Sequence, residues 1–595
     1  MIVLWAKNNM SKKIKIIING KTCLADPGQN VLEVALANGQ EIPHLCFHPD
    51  LKIQGSCRLC QVKIKGKPGL QSACTLSVQE GLEVNSEASD ARRARAVNLE
   101  LIFTEHCEEC RDCIYLQNCK IRHYAKDWKI NINKFPDRKA GYPVHRFGPA
   151  LEFDSSKCVD CGLCVEACHK VGVDFLEYKK HGKFFEVMPS ADPCHDCIYC
   201  GQCLTHCPVG AFEGVGEFED SDLVFERPDK TVVWQFAPSV RTTIGEEFGL
   251  PYGTVATGRL ISALKKLGVK YVFDTSVGAD VTTIEEAKEL IERIKNKKNL
   301  PLFTSCCPGW VKYVEFFHPE LIPYLTSTRS PQMIMAGLIK TYWAKKMKLN
   351  PKDIIVVSIM PCVAKKYEVQ RAEMKISGLR AVDHVYTVRE AAHIFRKKGI
   401  DLKTMPESKP DPIFAQPTGA GVIYGASGGV MESALRTAYK MITGRKLPKI
   451  EFEQVRGIQG LKKADIKVKD KIVKVAVANG IANAKVIIAE LKKNPGAYDY
   501  VEVMACFGGC IGGGGQPVPV DDEIRKKRAA GLYSIDTKNK IRVAEDSPIV
   551  QDVYKNFLDD EKNAKSVCHT HYMKKSKEVY PVKYSAVGGV RRRRI

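Results

Sequence analysis

Two textures of hydrophobicity divide the chain. From about Lys230 onward, short apolar runs alternate with amphipathic stretches. TVVWQFA, KYVFDTS, LPLFTS, DIIVVSIM, VKVAVANG and DYVEVMA have the length and β-branched content of buried strands, and their alternation with helical periods predicts α/β architecture. TTIEEAKELIERIKNKK predicts a helix with Ile284, Ala287, Leu290, Ile291 and Ile294 on its apolar face and Glu286, Glu289 and Arg293 in a second stripe. Thr283-x-x-Glu286 reads as a capping box opening that helix, and the stripe reads as a solvated face. Before residue 230 the elements are shorter: KIKIIING is strand-like, NVLEVALANG helical, and cysteines punctuate the rest.

At 595 residues the chain is too long for one core, so several domains are expected. No apolar run approaches the roughly 18 residues that span a bilayer. The start, MIVLWAKNNMSKK, lacks the basic and apolar regions of an export signal, so it reads as a short extension and a cytoplasmic location is expected. The formal charge of +22 raises nucleic acid as a partner, but the basic residues are scattered and form no recognition signature. The same charge suits an acidic electron carrier. The terminal RRRRI reads as a disordered tail.

Twenty-four cysteines change the picture. With no export signal and tight Cys-x2-Cys spacings, they point to metal rather than disulfides. Cys46, Cys57, Cys60 and Cys74 follow the strand-like and helical segments of a small β-grasp domain. Their long-short-long spacing resembles that of plant-type ferredoxins and suits a 2Fe–2S cluster, with structural zinc as the alternative. His106, Cys110, Cys113 and Cys119 resemble the His/Cys3-ligated 4Fe–4S module of large redox enzymes; Cys107 competes with His106, and a zinc knuckle is the alternative. CVDCGLCVEAC and CIYCGQCLTHCP each carry the Cys-x2-Cys-x2-Cys-x3-Cys run of two-cluster bacterial ferredoxins, in which the fourth cysteine serves the other cluster. Cys158, Cys161, Cys164 and Cys207 would then hold one 4Fe–4S cluster, and Cys197, Cys200, Cys203 and Cys168 its mate. Cys194 is left over and reads as structural.

Three predicted strands run straight into cysteine, in LPLFTSCCPGW, DIIVVSIMPC and YVEVMACFGGC. Functional groups in open α/β sheets gather beyond the carboxyl ends of strands, so Cys307, Cys362, Cys506 and Cys510 are expected to meet. IGGGGQP is no phosphate loop, because no Gly-Lys-Ser/Thr follows. Its glycines would let backbone approach a bulky group, or it is a plain surface loop.

FTSCCPGW, IMPCVAKKYE and EVMACFGGCIGGGGQP closely resemble the three signatures of iron-only (FeFe) hydrogenases, and the N-terminal modules match the large, multi-cluster form. The resemblance spans roughly residues 11 to 575. It implies a two-lobed α/β catalytic domain of parallel sheets flanked by helices, preceded by β-grasp 2Fe–2S and α+β bacterial-ferredoxin-like iron–sulfur domains. It also implies an active-site cluster: a 4Fe–4S cube on Cys307, Cys362, Cys506 and Cys510, with Cys510 bridging to a diiron unit bearing carbonyl, cyanide and azadithiolate. Ala237, Pro238 and Ser239 would line the diiron pocket, Lys365 would donate to a cyanide, and Met360 and Met504 would pack against the diiron unit. Tyr424 stands where phenylalanine is usual. Cys306, Glu286, Thr326, Glu289 and Arg293 would relay protons, which reverses the solvated-face reading of the helix.

The activity implied is 2 H⁺ + 2 e⁻ ⇌ H₂, with one 2Fe–2S and three accessory 4Fe–4S clusters feeding the active site. The implied partners are ferredoxin or a flavin- or NAD(P)-binding subunit, and the hydrogenase maturation proteins. The chain carries no dinucleotide or flavin motif of its own. The domains expected are a 2Fe–2S domain at 11–88, the His/Cys3 module at 89–130, the two-cluster domain at 131–226, the catalytic domain at 227–575 and a basic tail at 576–595. Two competitors share parts of this pattern. The electron-entry subunit of an NADH or formate dehydrogenase lacks the three C-terminal signatures. A non-catalytic iron–sulfur assembly or sensor relative would be expected to lose the proton thiol or the diiron pocket.

Overall fold

The computed structural model describes residues 13–106, 113–115, 117–139, 141–181, 184–216, 227–445, 451–469, 471–578, 580 and 582–584. The N-terminal sheet contains β1 (Ile14–Ile18), β2 (Lys21–Ala25), β3 (Gln61–Ile64), β4 (Leu70–Ser72) and β5 (Glu83–Asn85), in the order β2-β1-β5-β3-β4. β1 pairs antiparallel with β2 and parallel with β5. The helix Val31–Ala37 buries Val31, Leu32, Val34 and Ala35 against Ile16, Ile18, Val62 and Val84, and a reciprocal Asn30–Glu33 capping box fixes its start. This is the predicted β-grasp.

Next come β6 (Pro143–Phe147), β7 (Leu151–Asp154), the hairpin β8 (Leu176–His181) and β9 (Phe184–Pro189), and β10 (Phe212–Gly214). Each cysteine run ends in a helix, Leu163–Val171 or Gln202–His206, entered through a left-handed glycine, Gly162 or Gly201. The turn lets the sulfurs before each helix face back toward those on it.

The remaining chain lays down β11 (Thr231–Phe236), β12 (Tyr271–Asp274), β13 (Leu302–Phe303), β14 (Ile354–Met360), β15 (His384–Thr387), β16 (Leu461–Val468), β17 (Lys471–Asn479) and β18 (Tyr500–Met504). They form two four-stranded sheets, β12-β11-β14-β15 and β13-β18-β17-β16. All pairings are parallel except β16 with β17. The predicted strands are present, but LPLFTS contributes only two residues. β15 and β16 lie outside the predicted set: one is four residues long, and the other interrupts its apolar positions with lysines and an aspartate. Among the described residues no helix is long and apolar enough to cross a membrane.

The segment expected to be a tail from residue 576 is packed structure at its start. Glu578 accepts from Tyr199 Oη at 2.5 Å and Lys312 Nζ at 2.7 Å, and β19 (Val582–Tyr584) extends the β10-β7-β6 sheet by pairing with β6. RRRRI lies outside the described residues, as do residues 1–12.

Candidate active site

The carboxyl ends of β11, β13, β14 and β18 open onto one cavity. β11 delivers Ala237, Pro238 and Ser239, β13 delivers Cys306 and Cys307, β14 delivers Met360 and Cys362, and β18 delivers Met504 and Cys506. Cys510, Lys365 and Tyr424 complete the lining. Four cysteines spread over two hundred residues of chain thus share one wall because parallel strands all end on the same side.

Local structure sets each sulfur. Cys307 has extended backbone and caps the helix Pro308–Phe317, whose proline at the first position is preorganised for that start. Its neighbour Cys306 precedes the cap, and both cysteines pack against Ala279, Tyr424, Val430 and Met504. Cys510 sits in a short turn preceded by Gly508 and Gly509, both at positive φ; a Cβ on Gly509 would stand 2.7 Å from Ser427 N. The glycine tract after it is buried rather than a surface loop, which corrects one of the two sequence readings. Gly513 lines the cavity, while a Cβ on Gly514 would meet Cys200 O at 2.5 Å and one on Gly515 would meet Thr387 Cβ at 2.8 Å. Most of the tract thus presses on protein backbone and side chains, not on the cavity.

The donor set fits an iron–sulfur cluster with an appended polar group. Burial pushes the Cys362 and Cys510 thiols up to about 12, and Cys506 well above its ordinary value. These sulfurs would become thiolates only where a cation replaces the proton. Ser239 Oγ is buried without a hydrogen-bond partner on the cavity wall. Lys365 Nζ donates to Cys306 O at 3.1 Å and to Glu368 Oε2 at 2.9 Å. Burial alone would lower the Lys365 pKa, but the Glu368 carboxylate outweighs it and holds the pKa above the usual lysine value. An ammonium and an orphan hydroxyl in an otherwise apolar chamber suit anionic or strongly dipolar ligands.

Behind Cys306 lies a chain of polar groups. The helix beginning at Ser276 runs to Asn296, so Thr283 is mid-helix and no capping residue; its hydroxyl donates to Ala279 O. The sequence reading of a cap fails because SVGADV, though poor in helical signal, continues the same helix. Glu286 is buried, and burial pushes its pKa up to about 8. Its Oε1 accepts from Tyr500 Oη at 2.7 Å, and its Oε2 is buried without a partner. Burial also raises Cys306 well above the ordinary thiol value, with the Glu286 charge adding to it. Glu289 accepts from Thr326 Oγ1 at 2.6 Å and from Arg293 at 2.5 Å. Thr283 and Tyr424 share a hydrogen bond of 2.8 Å, so the extra hydroxyl of Tyr424 is satisfied by the helix. Tyr500 was not legible as a site residue: in DYVEVMA it is simply a strand aromatic.

On the opposite side the cavity meets the N-terminal modules. Cys506 Sγ lies 3.6 Å from Cys200 O, and Gln202 Nε2 donates to Gly512 O at 2.8 Å. A second cavity is lined by Cys168, Cys197, Cys200 and Cys203. Cys164 is surrounded by Cys158, Cys161, Cys207 and Cys203, whose charges oppose its own. Cys168, the fourth cysteine of the first run, stands with the second run. Cys46 and Cys57 pack with Val159, Cys161 and Leu163, and Cys60 Sγ lies 3.5 Å from Cys74 Sγ. His106 is buried, and its Nδ1 donates to Lys157 O at 2.7 Å, which fixes the ring's orientation. Cys119 is buried and Cys113 half-buried, while Cys110 and Cys107 lie outside the described residues. Cys194, read as structural, is exposed and lines neither cluster cavity.

Comparison with known proteins agrees with this geometry. Residues 230–514 match the family described as iron only hydrogenase large subunit, C-terminal domain, and residues 522–575 match iron hydrogenase small subunit. Residues 11–89 match a 2Fe-2S iron-sulfur cluster binding domain and 157–211 a 4Fe-4S dicluster domain. The NADP-reducing hydrogenase subunit HndD of Solidesulfovibrio fructosivorans is 36% identical over 587 residues, covering 95% of this chain and 99% of that protein. Iron hydrogenase 1 of Clostridium pasteurianum is 36% identical over 576 residues, covering 94% and 100%. The solved FeFe-hydrogenase HydA1 from Chlamydomonas reinhardtii matches with a TM-score of 0.54 at 37% identity, covering 60% of this chain and 99% of that one.

Proposed function

Since the chain belongs to the iron-only hydrogenases and is an iron hydrogenase with iron–sulfur domains, we propose that it interconverts protons, electrons and molecular hydrogen in the cavity at its strand ends. The observation that carries this reading is the convergence of Cys307, Cys362, Cys506 and Cys510 on a chamber that also holds Cys306, Ser239 and Lys365. The four cysteines would hold a 4Fe–4S cube, with Cys510 bridging to a diiron unit. Ser239 and Lys365 would hydrogen-bond its cyanides, and Met360, Met504, Ala237 and Pro238 would shape its apolar wall. When bound, that group supplies an open iron and a pendant amine for cleaving or forming hydrogen.

The chain itself moves the protons and electrons. Cys306 holds a proton at Sγ; because burial keeps it a thiol, it passes protons by coupled exchange with Glu286 rather than by accumulating thiolate. Glu286, poised near neutrality, hands on toward Thr326 and Glu289, with Arg293 at the outer end. Cys168, Cys197, Cys200 and Cys203 would hold a 4Fe–4S cluster, and the Cys200–Cys506 contact would bring it within electron-transfer reach of the chamber. Cys158, Cys161, Cys164 and Cys207 would hold the neighbouring cluster, which two branches would feed. One is the 2Fe–2S site of Cys46, Cys57, Cys60 and Cys74, and the other is the His106 module with Cys110, Cys113 and Cys119. Ferredoxin or an NAD(P)-linked subunit would dock at those outer modules, with NAD(P) favoured by the full-length similarity to HndD. We place the protein in the cytoplasm.

Infrared spectroscopy of the anaerobically matured protein tests the assignment. Carbonyl and cyanide stretching bands together with hydrogen evolution are expected; their absence after complete maturation would contradict it.

A further inference from the structure

Glu289 is a branch point, and one branch leads away from Arg293. Ser327 Oγ lies 3.2 Å from Glu289 Oε2 and 3.0 Å from His569 Nδ1. The other ring nitrogen, His569 Nε2, lies 3.1 Å from Glu285 Oε2. Glu285 in turn accepts from Tyr554 Oη at 2.5 Å and from Lys288 Nζ at 2.7 Å, and the Lys288 side chain is half exposed. We propose that Ser327 and His569 form a second proton exit from Glu289, built by the C-terminal segment that matches the small-subunit family. This rests on the relay reading above.

The hydrogen-bond arithmetic is what singles out Ser327. Its hydroxyl has one proton and two acceptors, Glu289 and His569. With the extra proton on Glu289, the carboxyl donates to Ser327 Oγ and Ser327 donates to His569 Nδ1. With the extra proton on His569, Nδ1 donates to Ser327 Oγ and Ser327 donates to Glu289. One concerted hop exchanges the two arrangements, breaking and forming one O–H or N–H bond at each step, and leaves no polar atom unpaired in either. The proton that enters the imidazole at Nδ1 leaves from Nε2 to water, since His569 is partly exposed; burial would raise the Glu285 pKa, but hydrogen bonds from His569 and Lys288 hold it down to about 2, so Glu285 stays a carboxylate that orients the ring. No electron moves.

The fold holds this geometry from the backbone. Thr328 and His569 form an isolated antiparallel bridge, Arg329 N donates to Cys568 O at 2.7 Å, and Thr570 N donates to Ser327 O at 2.8 Å. Arg329 Nε further donates to His569 O at 2.8 Å. The relay segment and the C-terminal segment are thus locked in register beside Glu289. The charged and titratable groups facing the imidazole are Glu285, Lys288, Glu289, Arg329, Tyr554 and Cys568.

The test uses the full matured chain with His569→Gln, His569→Ala, Ser327→Ala and Cys306→Ser. Glutamine can hydrogen-bond in place of imidazole but cannot carry a proton. With infrared bands unchanged, His569→Gln and Ser327→Ala should each slow hydrogen turnover about threefold to tenfold, because the Arg293 exit still operates. Their effects should not add, since they cut one branch. Both should alter the pH profile of turnover in the same way, and free imidazole should restore part of the rate to His569→Ala. If both variants keep full turnover with the wild-type pH profile while Cys306→Ser is inactive, the branch is wrong and the main relay stands. If Cys306→Ser itself is fully active, the relay reading falls. If His569→Gln keeps the wild-type rate while His569→Ala is slow and imidazole does not restore it, His569 is structural and the proposal is overturned.

Discussion

The N-terminal modules and the catalytic domain gather their cysteines by opposite means. In residues 158–168 and 197–207 four cysteines lie within eleven residues, beside a glycine-entered helix in each run. In the catalytic domain the cysteines come from three strand ends and a glycine turn, and only the completed parallel sheets bring them together. The first kind of site is set by spacing and the second by topology. The two nevertheless share buried polar contacts: Lys312 pairs with Asp196 at 3.2 Å, Arg389 donates to Tyr115 Oη at 2.6 Å, and Lys366 donates to Val215 O at 2.9 Å.

The largest expected effect comes from cutting between them. A chain beginning at Lys230, matured, should lose hydrogen turnover with its protein carrier by more than about a hundredfold. It should keep turnover with a small-molecule reductant, because every strand-end ligand remains. It should also be less stable, since Lys312 loses one buried partner; breaking such a pair costs about 3–5 kcal/mol. A folded, matured truncation inactive with every reductant would show that the catalytic region does not stand on its own chemistry.

Within the catalytic region, Glu286→Gln should lower turnover by about 10²-fold or more while leaving the infrared bands in place. It should also change stability against pH. The folded carboxyl stands at about 8 against an ordinary 4.5, so the folded state holds its proton more tightly than the unfolded chain. Wild-type stability should therefore be full below about 4.5, fall as pH rises to about 8, and then level off. Urea titrations across that window should show a shallower fall in the variant; identical slopes would mean that Glu286 is not the buried acid described.

At the seam, Gly514→Ala places a Cβ 2.5 Å from Cys200 O and from Gly201 Cα. Backbone must shift on both sides, at about 1–3 kcal/mol. Carrier-driven turnover should fall more than turnover with a small reductant, because the Cys200–Cys506 approach widens; equal losses would place the effect in the catalytic chamber. His106→Ala should alter one N-terminal cluster signal in electron paramagnetic resonance and leave the active-site infrared bands untouched. Cys107→Ala should change neither, and the reverse pattern would make Cys107 the ligand.

What was legible in the sequence follows the same division. The cysteine runs declare themselves by spacing, and the apolar strands preceding Cys307, Cys362 and Cys506 declare where those sulfurs must end up. The capping-box reading of Thr283 fails because a helix start is a local signal, whereas burial against Met335 and Gly421 decides that the helix continues back to Ser276. Tyr500, Ser327 and His569 carry no local signature: each gains its role from a partner between about 40 and 240 residues away. The packed start of the C-terminal segment was hidden for the same reason, since Glu578 is defined by Tyr199 and Lys312.

The paired cysteines give the most direct test, because adjacent residues lining one cavity are assigned to different chemistry. Infrared spectra and hydrogen evolution should be recorded on matured Cys306→Ser and Cys307→Ser. Cys306→Ser should keep the carbonyl and cyanide bands and lose turnover by at least about 10²-fold, since a serine hydroxyl is a far weaker acid than a thiol. Cys307→Ser should lose or shift the bands, because an alkoxide replaces thiolate poorly at an iron–sulfur cube. Bands lost from Cys306→Ser but kept in Cys307→Ser would contradict the account.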